Sequence, residues 1–81
     1  MIGWIIAGLL AAAAAIVIVV DGIIDKQKLK EAARNEGVKN AIVERANQCE
    51  NCVTIKDLDS GQKYDVKGDG ISDEIKAGIY I

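Results

Sequence analysis

The chain has no histidine, no proline and no phenylalanine, and its aromatic residues are one tryptophan and two tyrosines. Without histidine, the side chain that most often serves as general base and as metal ligand is missing. The only thiols are Cys49 and Cys52, too few to close a tetrahedral zinc site within one chain. Ser60 and Ser72 stand in turn-like stretches with no base near them in sequence, so no activated nucleophile is expected. A dense Lys/Arg patch interleaved with aromatics is also lacking, which sets nucleic acid aside. No catalytic residue, metal ligand set or cofactor site is expected.

Charge is missing from one part of the chain. The net charge of −2 comes from ten basic and twelve acidic side chains, and none of them lies in residues 1–20. Asp21 to Cys52 holds six acids and six bases, while Val53 to Ile81 holds six acids and four lysines. At 81 residues there is room for one small domain, with a core modest enough that self-association is expected.

Ile2 to Val20 is a run of 19 uncharged, mostly apolar residues. As a helix it would extend roughly 28 Å, close to the hydrocarbon thickness of a bilayer. The expectation is a single transmembrane helix over residues 1–24, with Trp4 in the interfacial aromatic belt. Lys26, Lys28, Lys30 and Arg34 follow the run and nothing basic precedes it, which predicts an outside N-terminus and a cytoplasmic C-terminal part. The same four cations are candidates for contact with anionic lipid headgroups. Gly3, Ala7, Ala11 and Ala15 recur every four residues with Gly8 and Ala12 beside them, a small-residue face suited to close helix packing and hence to homo-oligomerisation.

Residues 25–48 read as an amphipathic juxtamembrane helix with a break near 35–37, where Asn35 and Gly37 suit a left-handed cap. Val38, Ala41, Ile42 and Ala46 would then mark an apolar face. From Cys52 the pattern changes to period two: Val53 and Ile55, then Tyr64 and Val66, flank the turn-forming stretch Asp57-Leu58-Asp59-Ser60-Gly61. Residues 49–81 therefore read as a small three-stranded antiparallel sheet, with Ile79-Tyr80-Ile81 as its last strand. The fold class expected is α+β.

Cys49-Glu50-Asn51-Cys52 is the one motif with intrinsic chemistry. C-x-x-C suits a tight disulfide, a redox pair, or half of a zinc site shared between two chains. A reduced pair packing as small apolar residues at a helix-to-strand corner is the plainer expectation. Acid clusters around Asp57, Asp59 and Gly61, and around Asp65, Asp69 and Gly70, miss the spacing of a calcium loop and fit ordinary turns.

The function expected is that of a small, membrane-anchored structural or interaction protein that self-assembles. Its partners would be the lipid bilayer, further copies of itself and an unidentified protein. Alternatives are a subunit of a filament or secreted assembly at the cell surface, with the apolar helix buried in the polymer, and a small membrane-active toxin or pore former.

Overall fold

The computed structural model describes residues 15–81. Its elements run β1 (Ile16–Val19), β2 (Ile23–Ile24), α1 (Lys26–Asn35), β3 (Ala41–Asn47), β4 (Cys52–Asp57), β5 (Lys63–Lys67) and β6 (Gly70–Ile71). Four strands form one mixed sheet in the order β1-β5-β4-β3, and β2 pairs with β6 in a short parallel ribbon.

The period-two residues of the C-terminal half form the centre of this sheet. Val53 lies opposite Val66 and Ile55 opposite Tyr64 in the antiparallel β4/β5 ladder, and all four side chains are buried. Val43 of β3 faces Ile55, so one face of the sheet carries a continuous apolar layer. The other face carries Thr54, Lys56, Lys63 and Asp65, as the alternation of a pleated strand requires.

Helix α1 packs on the apolar layer through Leu29, Ala32 and Ala33, an i, i+3, i+4 stripe that is wholly buried. Its start is set by Asp25, whose carboxylate accepts from the Lys28 backbone N–H at 2.8 Å, satisfying one of the unpaired donors of the first turn. Its end is a Schellman motif. The N–H of Val38 donates to the Ala33 carbonyl and that of Gly37 to the Arg34 carbonyl, both at 2.9 Å, with Gly37 at φ +78°. Val38 and Ala33, the pair that such a cap brings together, are both buried.

Several expectations are corrected. The transmembrane helix over Ile2 to Val20 is overturned at its C-terminal end, because Ile16–Val19 is a strand, and among the described residues no helix is long and apolar enough to cross a membrane. The β-branched run Ile16-Val17-Ile18-Val19 fits a pleated ladder better than a helix, where its χ1 freedom is lost, and β5 supplies the ladder. The reading as a membrane protein, transmembrane and single-pass, goes with that helix. So does the placement of an outside N-terminus and a cytoplasmic C-terminal part, with its cell-surface alternative, since the flanking charges orient a chain only around a span. The part of the run in residues 2–14 lies outside the described residues.

The helix expected over residues 25–48 ends at Asn35, and beyond Gly37 the chain enters strand β3. Ala41 and Val43 point inward two residues apart, so the apolar spacing belongs to a strand. The three-stranded antiparallel sheet is a four-stranded mixed one, because β1 joins β5 in parallel, with Ile16 opposite Tyr64 and Ile18 opposite Val66. Ile79-Tyr80-Ile81 makes a single antiparallel bridge, Tyr80 to Ile42.

Candidate functional site

The two edges of the four-stranded sheet differ. In β3, the Val43 N–H donates to the Ile79 carbonyl at 2.8 Å, the Val43 carbonyl accepts from Gly78 at 2.7 Å, and the Ala41 carbonyl accepts from Ile81 at 2.9 Å. The C-terminal residues thus cover that edge, which otherwise would present unpaired peptide groups. Ile75 anchors the covering segment in the core.

Strand β1 forms the other edge. The Val20 N–H donates to the Lys67 carbonyl at 2.8 Å, which fixes the direction of the peptide groups before it. In an extended strand the N–H and C=O of one residue point to the same side and those of the next residue to the other. Ile16, Ile18 and Val20 therefore address β5, and Val17 and Val19 address the outside of the sheet. No described residue pairs with that outer side. The side chains alternate about the sheet plane in the same way. Ile18 and Val20 pack against the core, whereas Val17 is 55% and Val19 76% exposed on the opposite face. Ile16 (44%) and Ile23 (52%) extend the apolar margin.

Around this edge the surface is otherwise polar. A hollow of about 420 Å³ on the open face is bounded by Ala15, Glu44, Arg45, Thr54, Lys63 and Asp65. Four of its groups pair with one another: the Thr54 hydroxyl donates to the Asp65 carboxylate at 2.7 Å, and Lys63 pairs with Glu44 at 3.3 Å. That ion pair is solvent-exposed and worth at most about 1 kcal/mol. On the helix side, a cleft of about 390 Å³ between β1 and α1 is lined by Ile18, Val20, Lys28, Glu31 and Asn35 among others.

Among the described residues, those singled out in the sequence lie on different elements. Of the small-residue face, Gly3, Ala7, Gly8, Ala11 and Ala12 lie outside the described residues, and Ala15 is half-exposed at the head of β1. Lys26, Lys30 and Arg34 are exposed on α1, while the Lys28 ammonium donates to the Asp21 carbonyl.

Cys49 and Cys52 are both free thiols, the first exposed and the second buried. They stand in the β3/β4 hairpin and not at a helix-to-strand corner. There the Asn47 side-chain oxygen accepts from the N–H groups of Cys49 (3.1 Å) and Glu50 (3.3 Å), and Asn51 takes φ +51°. Burial pushes the Cys52 thiol above its ordinary pKa, and the neighbouring Asp65 adds to the shift. That is the reverse of an activated cysteine. Among the described residues no cluster of three or more Cys, Asp or Glu side chains is placed to hold a metal ion.

Asp57 closes β4. Its carboxylate accepts from the Asp59 N–H at 2.9 Å and the Ser60 hydroxyl at 2.8 Å, which hold its pKa below the usual carboxylate value. This is turn chemistry.

The edge itself, Val17 and Val19, is the feature that sequence reasoning missed. A signal for it exists: five β-branched residues in succession after five alanines, a change from residues that favour helix to residues that favour strand. Comparison of the chain with protein-family models, with curated proteins and with solved structures found no match.

Proposed function

We propose that this chain is a structural or interaction protein that self-associates through the open edge of β1. The observation that carries the proposal is the asymmetry of the sheet edges. The β3 edge is covered by the chain's own C-terminus, while β1 offers outward peptide groups and the exposed valines Val17 and Val19. Long-lived open edges are usually blunted with charge or proline, and β1 has neither. An apolar edge of this kind is suited to strand addition, in which main-chain hydrogen bonds supply affinity. Self-assembly moves in this way from the small-residue face Gly3, Ala7, Gly8, Ala11, Ala12 and Ala15 to the strand that succeeds it.

The test is amide hydrogen exchange by NMR, residue by residue, as the protein concentration is raised from micromolar to millimolar. The amides of Val17 and Val19 slow with concentration, whereas Ile18, already bonded to β5, does not change. Exchange at Val17 and Val19 that stays fast and concentration-independent would refute the proposal.

A further inference from the structure

We propose that β1 pairs antiparallel with β1 of a second copy, in a register centred on Ile18, so that two four-stranded sheets become one sheet of eight strands. The inference rests on the self-association proposed above and specifies its geometry.

Backbone direction and face restrict the register. A two-fold axis normal to the sheet keeps both helices on one side, so residues directly opposite each other must share a face. Even-numbered residues of β1 face the helix and odd-numbered ones the open side, hence the numbers of opposed residues sum to an even value. Only Val17 and Val19 turn their N–H and C=O groups outward within the strand. A register centred on Ile18 sets Val17 against Val19 of the second copy, and Val19 against its Val17, as hydrogen-bonded pairs. Ile18 meets its own copy on the helix side, next to Ile16 opposite Val20. Both outward residues are used, and every opposed pair is aliphatic.

The occupant is a second copy because the strand is self-complementary. All five residues from Ile16 to Val20 are uncharged and β-branched, so two-fold pairing opposes no like charges and places aliphatic cross-strand pairs on both faces. A four-residue strand buries far less than the standard interface of about 1,600 Å². The dimer is therefore a concentration-dependent one, in exchange with the monomer.

Cysteine cross-linking of the full chain tests the register. Val17→Cys and Val19→Cys are made separately in a Cys49→Ser background. Cys52 is left in place, because its buried thiol with raised pKa reacts slowly at neutral pH. In a hydrogen-bonded antiparallel pair the Cα atoms are about 5.5 Å apart, inside the range a disulfide spans, whereas residues two off register are about 7–8 Å apart and outside it. Mixing the two variants, one carrying a mass tag, with dissolved oxygen and a copper catalyst as oxidant should give a mixed disulfide at least about tenfold faster than either variant alone. Fastest linkage of Val17→Cys to itself would place the centre on Val17 and overturn the register, and equal rates for all three combinations would overturn antiparallel pairing. In either case a wild-type dimer in sedimentation equilibrium preserves self-association. A wild-type chain that stays monomeric overturns both proposals together.

Discussion

Placing charge on the outer edge of β1 should dissolve the assembly and leave the fold intact. The double substitution Val17→Lys, Val19→Lys puts lysine at side chains that are 55% and 76% exposed in the monomer. Neither touches the core, so the change in monomer stability should stay within about 0.5 kcal/mol, the usual range for surface positions. Association is another matter. Full burial of a valine is worth about 1.5 kcal/mol, and pairing along one edge covers about half of what these two side chains expose. Each copy then loses about 1 kcal/mol of apolar burial and the dimer about 2 kcal/mol, roughly a 30-fold rise in Kd. Repulsion and desolvation of the ammonium groups act in the same direction. Tyr80→Lys is the control, since Tyr80 is 69% exposed but belongs to the C-terminal segment that covers the opposite edge, β3. Sedimentation equilibrium over a range of concentrations measures both variants against wild type, and circular dichroism with urea titration checks the fold. An unchanged Kd for the double variant, or an equal loss in Tyr80→Lys, would refute the edge argument.

Two further outcomes derive from local geometry. Gly37→Ala should destabilise the fold by about 1 kcal/mol in urea titration; an added Cβ meets nothing within 4 Å, so the cost is that of holding φ +78° without glycine. Cys49 should be alkylated rapidly near neutral pH and Cys52 only slowly, read by mass spectrometry of the two sites. Because burial raises the Cys52 pKa in the folded state, its share of the stability is fully present below the unfolded thiol value of about 8.5 and is lost as pH rises through the folded value. Urea midpoints in Cys52→Ala should accordingly fall less between neutral and alkaline pH than in wild type.

The strands and caps whose determinants lie within a few residues are legible in the sequence. Val53/Ile55 and Tyr64/Val66 alternate around Asp57 to Gly61, and the hairpin β4/β5 joins them with Asp57 accepting from Asp59 and Ser60 at the turn. Gly37 marks a helix end in the sequence and takes positive φ in the Schellman cap. Beyond that cap the spacing of Val38, Ala41, Ile42 and Ala46 serves either a helix or a strand, and its identity as β3 depends on Val43 meeting Ile55 across a hairpin. The Cys49-x-x-Cys52 pair departs from its expected corner for the same reason. A hairpin loop set by Asn47 and by Asn51 at φ +51° gives no sign of itself in the periodicity around it.

The apolar run up to Val20 shows what a hydropathy sum leaves out. Length and mean apolarity are equal for a helix in lipid and for alanines followed by a strand, yet the two differ in side-chain shape. Alanine carries no χ1 restriction, whereas the isoleucines and valines of β1 lose rotamer freedom in a helix and keep it on a pleated surface. That preference is worth only tenths of a kcal/mol per residue, so it decides nothing until a partner strand exists. The partner is β5, remote in sequence but joined to β1 from Ile16–Tyr64 to Val19–Lys67, and the sequence near Ile16 contains no trace of it. Once β5 fixes one side of β1, the geometry of a strand leaves the groups of Val17 and Val19 facing the other. The apolar character of Ile16 to Val20 is then located on a sheet edge, where the strand pairing proposed above would displace the solvent it avoids. Apolarity in this chain therefore points to a binding surface through the direction of the peptide groups, a property that no composition or window average records.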